Sequence, residues 1–252
     1  MQSAEARPEE VPSNTNAKAR PKLGLRVVCI SDTHGCHRSI KDVPEGDLLI
    51  HAGDFTHFGK ERDIRDLNTW LGELPHTHKV VVFGNHEQNA PWNSQAASLL
   101  SNATFLLHER AELSFPAPSS GGNKVVHIFG SRFYWPCRYQ SGNTDLAAML
   151  PPELRGQKEE DDDAKQKGEQ QVVDWVDIVV SHGPANGFVD GGLGCSSLTT
   201  YVQKAAPRLV VSGHIHSAHG TVYDPAHDIT FVNAAICNHG YTAYWQPVVV
   251  DI

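Results

Sequence analysis

The sequence predicts an α/β protein in which two sheets pack face to face with helices on the outside. Five short apolar runs, rich in β-branched and aromatic residues, each stop at Asp, Asn or His beside a small residue. That is the pattern of buried strands delivering polar side chains at their carboxyl ends. Between two of these runs lies a segment with apolar residues at helical spacing, so strand, helix and strand follow one another as in parallel α/β units. The C-terminal part is rich in strand-like runs and reads as antiparallel hairpins.

Taken in order, residues 1–22 are rich in Pro, Glu, Asn and Ala and read as a disordered leader before a single domain over 23–252. Leu25 to Ile30 is the first strand and runs into Ser31-Asp32-Thr33-His34-Gly35. Cys36 to Val43 is a connection or helical turn, and Pro44-Glu45-Gly46 a turn. Asp47 to Ile50 leads into His51-Ala52-Gly53-Asp54. From Lys60 to Leu74, the residues Ile64, Leu67, Leu71 and Leu74 fall on one face of a helix that Pro75 ends. Val80 to Phe83 stops at Gly84-Asn85-His86-Glu87, where the glycine is expected to turn the chain sharply.

A further short helix is predicted over 91–101 and a strand over Val125 to Phe129. The aromatic and basic stretch Ser131 to Tyr139 contains Pro136 and cannot be a regular helix. It is either a packed surface loop or a substrate-facing one with Arg132 or Arg138 near an anionic group. Residues 155–171 hold Glu159-Glu160-Asp161-Asp162-Asp163 and read as an acidic, solvated loop insert. Ile178 to Val180 runs into Ser181-His182-Gly183, and Leu209 to Val211 into Ser212-Gly213-His214-Ile215-His216. Leu198 to Ala206 is a helix closed by Pro207, and Thr221 to Tyr223, Ile229 to Val232 and Val248 to Ile252 are the last strands.

The formal net charge of −8 leaves no general basic surface, so long nucleic acid is not an expected partner. Five scattered cysteines without a Cys-x-x-Cys pair argue against a thiolate zinc site and for a reducing compartment. The first 24 residues lack the apolar core of a secretory signal or a membrane span, so a soluble, cytoplasmic protein is expected.

The strand ends carry the chemistry. Asp32, His34, Asp54, Asn85, His182, His214 and His216 together offer carboxylate, amide and imidazole donors, which suit Mn, Fe, Zn or Co better than Ca or Cu(I). Asp-x-His and His-x-His in extended chain would each point both side chains to one side. Seven donors exceed what one tetrahedral ion needs and suit two ions bridged by a carboxylate. Two divalent ions bring about +4 against about −2 from the two aspartates, leaving a pocket that attracts a phosphate ester. His86 is then a candidate general acid for the departing oxygen, with Glu87 and His51 as supports behind the ligands.

Asp32-Thr33-His34, Gly53-Asp54, Gly84-Asn85-His86-Glu87, His182 and Gly213-His214-Ile215-His216 resemble, in order, the motifs of the calcineurin-like metallophosphoesterases. His51 to Thr56, Ser181 to Pro184 with Gly187-Phe188, and Val232-Asn233-Ala234 with Cys237-Asn238 are similar to the metallophosphoesterase-domain-containing subgroup of phosphodiesterases. The resemblance implies a four-layered α/β/β/α sandwich with two central mixed sheets. It implies one metal held by Asp32, His34, Asp54 and His216, a second held by Asp54, Asn85, His182 and His214, and His86 as proton donor. Protein phosphatases of that superfamily carry Asp-Arg shortly after Gly-Asp; here Phe55-Thr56-His57-Phe58-Gly59 follows instead. A phosphodiesterase acting on small phosphodiesters through a metal-bridging hydroxide is therefore expected, with two Mn or Fe ions, or Zn, and with cyclic nucleotides as candidate substrates. The alternatives are a phosphomonoesterase and a weakly active nucleotide- or protein-binding module on the same fold.

Overall fold

The structure, a computed structural model, describes residues 20, 22–117, 121–131 and 176–252. The acidic insert at 155–171, Arg132 and Arg138 lie outside the described residues, as does nearly all of the expected leader. Arg20, inside the stretch expected to be that leader, donates to the carbonyls of Ala206, Pro207 and Asp228 and to the Asp228 carboxylate.

Among the described residues, eleven strands form two mixed sheets. The first has the order β11-β1-β2-β3-β4, from Val248–Asp251, Arg26–Ile30, Leu48–His51, His78–Val82 and Thr104–Leu106. The second runs β5-β6-β7-β8-β10-β9, from Glu109–Ala117, Gly122–Gly130, Ile178–Val180, Leu209–Ser212, Ile229–Asn233 and Gly220–Asp224. Strands β1 to β4 are mutually parallel, as are β6, β7, β8 and β10; the other neighbours are antiparallel.

Central strands are apolar on both faces, which is what a sheet covered on both sides requires. Val27, Cys29, Ile50 and Val80 of the first sheet meet Val126, Ile128, Val180 and Val211 of the second in the core between them. On the outside of the first sheet, Val28, Ile30, Leu49 and Val81 pack against α1 (Glu61–Glu73) through Ile64, Leu67, Trp70 and Leu71, with α2 (Ala96–Leu99) beside it. On the outside of the second, Val179, Val210 and Phe231 pack against Leu198 and Val202 of α3 (Ser196–Ala205). Helix, sheet, sheet and helix are the four expected layers.

Helix boundaries follow local chemistry. Helix α1 carries Glu61 and Asp63 in its first turn, where the helix dipole favours acid, and stops at the extended Leu74 before Pro75. Helix α3 ends at Ala206, whose left-handed φ of 45° precedes Pro207. Three elements differ from expectation. Strand β11 forms no hairpin with its neighbours in sequence but pairs antiparallel with β1 in the other sheet. Strands β4 and β5 were not anticipated, since β5 is an edge strand interrupted by Glu109, Arg110, Glu112 and Pro116. Its signal was the alternation Ala111, Leu113, Phe115, the residues that face the core.

Among the described cysteines, Cys29, Cys36 and Cys237 are free thiols and Cys195 is disulfide-bonded, a pairing its spacing gave no sign of. No described helix is long and apolar enough to cross a membrane.

Candidate metal centre

The carboxyl ends of β1, β2 and β3 meet those of β7 and β8 at one rim of the sandwich, and the candidate ligands gather there. Asp32, His34 and His216 present ligand atoms all within 4.8 Å of one another, and so do Asp54, His182 and His214. A third group of that kind joins His34, Asp54 and His86. Asn85 lines the same cavity, of about 290 Å³, as His34, Asp54, His86, His214 and His216.

The convergence is not achieved by extended chain. Asp32, His34, Asp54 and His214 have φ of 52°, 45°, 52° and 68°, the left-handed region that side-chain-bearing residues rarely adopt. The expected same-side geometry of Asp-x-His and Gly-His-x-His thus comes from strained turns beyond the strands, held by their neighbours. His34 N–H donates to Asp54 O and Asp32 N–H to Gly53 O, both at 2.9 Å. Strain held in this way is characteristic of functional sites.

Gly84 does not have a positive φ, so the expected sharp turn is not its reason. A Cβ there would run into the Asp54 carboxylate and backbone nitrogen, and one at Gly213 into the Asp32 carboxylate and the Ser31 hydroxyl. Both glycines let a carboxylate lie against the neighbouring backbone. Asp32 Oδ2 accepts the His214 N–H at 2.9 Å, and Asp54 Oδ1 accepts the His86 N–H at 2.9 Å. Each carboxylate is fixed by one oxygen and turns the other to an imidazole, Asp32 Oδ1 to His216 and Asp54 Oδ2 to His182.

The imidazoles are oriented in the same manner. His182 Nδ1–H donates to Ala52 O at 2.7 Å and His216 Nδ1–H to Asn238 O at 2.9 Å, which leaves each Nε2 directed inward. His182 Nε2 lies 3.3 Å from Asp54 Oδ2, and His216 Nε2 lies 3.2 Å from both Asp32 Oδ1 and His34 Nε2. His86 is different. Its Nδ1 accepts the Phe58 N–H at 3.2 Å, so the neutral ring carries its proton on Nε2, 3.8 Å from Asp54 Oδ2. That arrangement makes His86 a donor toward the cavity rather than a lone-pair ligand.

Electrostatics argue for a cation. Burial alone would raise the carboxyls, but the facing histidines hold Asp32 and Asp54 below the usual range. Burial would lower His182, yet Asp54 and Asp32 lift it to about 9, and Asp32 lifts His216 in the same way. His34 and His214, dominated by burial, fall to about 4. The two raised histidines thus face buried carboxylates whose charge a bound cation would balance. Asp32 Oδ1 and Asn85 Oδ1 are buried and accept no well-directed hydrogen bond among the described residues. Orphaned oxygens beside inward imidazole nitrogens are what hard-to-borderline transition ions require, and the donor set fits two of them.

Behind the ligands, Glu87 is fully buried and accepts four hydrogen bonds: from the Asp54 and Gly84 N–H groups at 3.0 and 2.9 Å, and from the Thr56 N–H and hydroxyl at 2.9 and 2.6 Å. Burial and the Asp54 charge push its carboxyl up to about 7. His51 meets the Thr33 hydroxyl at 2.8 Å, and burial lowers it to about 3. Sequence reasoning did not find Phe58 and Tyr241. Phe58 stacks on His86 with centroids 4.8 Å apart, and Tyr241 sets its ring perpendicular to His34 at 4.6 Å. Neither belongs to a polar strand end, so no pattern marked them.

Comparisons agree with this picture. The family model described as calcineurin-like phosphoesterase matches residues 25–218. The human protein named metallophosphoesterase domain-containing protein 1 is 32% identical, over 92% of this chain and 72% of its own. A UPF0046 protein of Caenorhabditis elegans is 30% identical, over 90% of this chain and 81% of its own. The crystal structure of TT1561 of Thermus thermophilus superposes with a TM-score of 0.53 at 13% identity, over 84% of this chain and 89% of that one, and so shares the fold. Family and donor geometry together support a metal-dependent phosphoester hydrolase. The chain belongs to the calcineurin-like phosphoesterase family.

Proposed function

We propose that the protein is a dinuclear metal-dependent phosphodiesterase acting on small phosphodiesters. Asp32, His34, Asp54 and His216 would hold one ion, and Asp54, Asn85, His182 and His214 the other, with Asp54 shared. Mn and Fe suit this mixed O/N set, as does Zn. Such a pair supplies Lewis-acid stabilisation of the phosphate and a nucleophilic water at neutral pH. The chain's own part is placement. Backbone N–H groups fix both carboxylates, backbone carbonyls set the His182 and His216 tautomers, and the histidine nitrogens then need no reorganisation. His86 holds a proton at Nε2 and presents it to the leaving oxygen, as a hydrogen bond that strengthens when charge builds there.

The observation that carries the diester reading is the lining of the cavity. Among the described residues no Arg or Lys contributes to it, while Leu193, Ile215 and Tyr241 do. A monoester dianion calls for cationic side chains around its extra charge. A diester monoanion needs less charge, and its second ester group has apolar walls to lie against. Arg132 and Arg138 remain candidates for a substrate-facing loop. A small cavity on a chain of net charge −8 suits a small substrate rather than a nucleic-acid strand.

The test is hydrolysis of bis-p-nitrophenyl phosphate and p-nitrophenyl phosphate by the full chain with Mn²⁺, alongside Asp54→Ala and His86→Ala. Metal-dependent diester turnover that collapses in both variants is the expected result. Faster monoester turnover would make the protein a phosphomonoesterase. No turnover by folded, metal-loaded protein would favour a binding module.

A further inference from the structure

A second cavity, of about 320 Å³, also borders His86. Its walls are Phe58, Asn89, Ala90 and Pro91, together with Asn85 and His86, the two residues it shares with the candidate metal cavity. The two spaces therefore adjoin at the candidate proton donor. Phe58 is 65% exposed although it is a large apolar side chain, and it holds a left-handed φ of 59°. Its ring lies nearly parallel to His86, at 18°. An aromatic ring fixed in the open beside a donor, with no core to fill, is a binding surface rather than packing.

We propose that this second cavity is the leaving-group subsite, and that Phe58 selects phosphodiesters whose departing alcohol carries a planar ring. The inference rests on the phosphodiesterase reading and deepens it. The geometry runs in one direction. With the phosphate over the metal ligands, the oxygen that accepts from His86 Nε2 is the leaving oxygen, so the group attached to it continues past His86 into the second cavity. There the ring stacks against Phe58, with the Asn89 amide at the rim for a polar substituent. Stacking tolerates any planar ring, since it uses the π-face and not a hydrogen-bond pattern. The departing alcohol would therefore be aryl or nucleoside in class, chosen by shape.

The test compares two ethyl diesters, ethyl phenyl phosphate and the ethyl ester of a fluorinated alkyl alcohol as acidic as phenol, which differ in ring and not in leaving ability. With the Mn²⁺-loaded full chain, Phe58→Ala should raise KM for the phenyl ester at least about fivefold, with the fluoroalkyl ester within about twofold. Phe58→Trp should restore the phenyl preference, and Phe58→Leu should not. An equal loss on both esters would overturn the proposal, since Phe58 would then act only through His86; so would no change on either. Binding supplies a readout free of turnover: titrated calorimetrically onto His86→Asn protein, the phenyl ester should bind more tightly than the fluoroalkyl ester, and a second change, Phe58→Ala, should remove the difference. If wild type hydrolyses neither ester, the phosphodiesterase reading falls, while the binding difference still decides the subsite.

Discussion

Glu87→Gln isolates the anchor of the candidate ligand Asp54. The change keeps shape and removes one acceptor oxygen from a carboxylate that serves four donors. The best orientation of the glutamine keeps its oxygen toward the Asp54 and Gly84 N–H groups. Its NH₂ then faces Thr56, whose hydroxyl can rotate and accept, whereas the Thr56 N–H cannot. One buried N–H left unpaired costs about 1–3 kcal/mol. The two retained bonds also lose charge assistance, roughly halving their strength. Relief of the repulsion between Glu87 and Asp54 works the other way, so a net loss of about 2–3 kcal/mol is expected. Urea unfolding of the metal-free full chain measures it, and a chelator competition should show metal affinity down about tenfold as Asp54 loosens. An unchanged or raised unfolding midpoint would refute the reasoning, because the like-charge term would then outweigh the hydrogen bonds.

Four further outcomes follow from the same structure. Gly213→Ala should impair metal uptake and lower the thermal midpoint together, since its methyl has to displace the Asp32 carboxylate and the Ser31 hydroxyl; a metal titration with a melting curve decides this. Saturating Mn²⁺, at about 100 times its Kd, should stabilise wild type by about 2.7 kcal/mol, and Asp54→Ala should lose most of that gain. Leu67→Ala, in the packed outer face between α1 and the first sheet, should cost about 2–5 kcal/mol in unfolding experiments and leave kcat unchanged at low temperature. Arg20→Ala removes charge-assisted bonds to the second sheet's edge and should cost about 1.5–3 kcal/mol by the same method.

Much of this architecture was legible because the chain repeats one device. Val27 to Ile30, Leu48 to Ile50, Val80 to Val82, Ile178 to Val180 and Leu209 to Val211 are buried on both faces, so hydrophobicity alone finds them. The polar residues that stop them gather at one rim, because parallel strands bring their carboxyl ends together. Beyond that, local pattern ran out. Strand β5 shows only a faint alternation among charges, and the pairing of β11 with β1 is a long-range choice that no local signal encodes. The ligand turns defeated a simple extended-chain argument, because Asp32, His34 and His214 sit in a left-handed conformation that only tertiary contacts can hold. Phe58 and Tyr241 read as ordinary aromatics until their rings are seen against histidines.

The hydrogen bonds that hold the ligands also cross between sheets. Asp32 at the end of β1 takes the backbone N–H of His214, 182 residues away, and Ala52 after β2 takes the ring N–H of His182, 130 residues away. Asp32, His34 and His216 combine residues from both sheets, and so do Asp54, His182 and His214. Closures of more than a hundred residues would have to precede any ion's finding its donors, and closures of that kind come late and slowly. Metal capture by these residues would therefore follow assembly of the sandwich, unlike in a zinc finger, where the ion seeds folding. Ion uptake followed during refolding would report the moment at which the two halves of the sandwich meet.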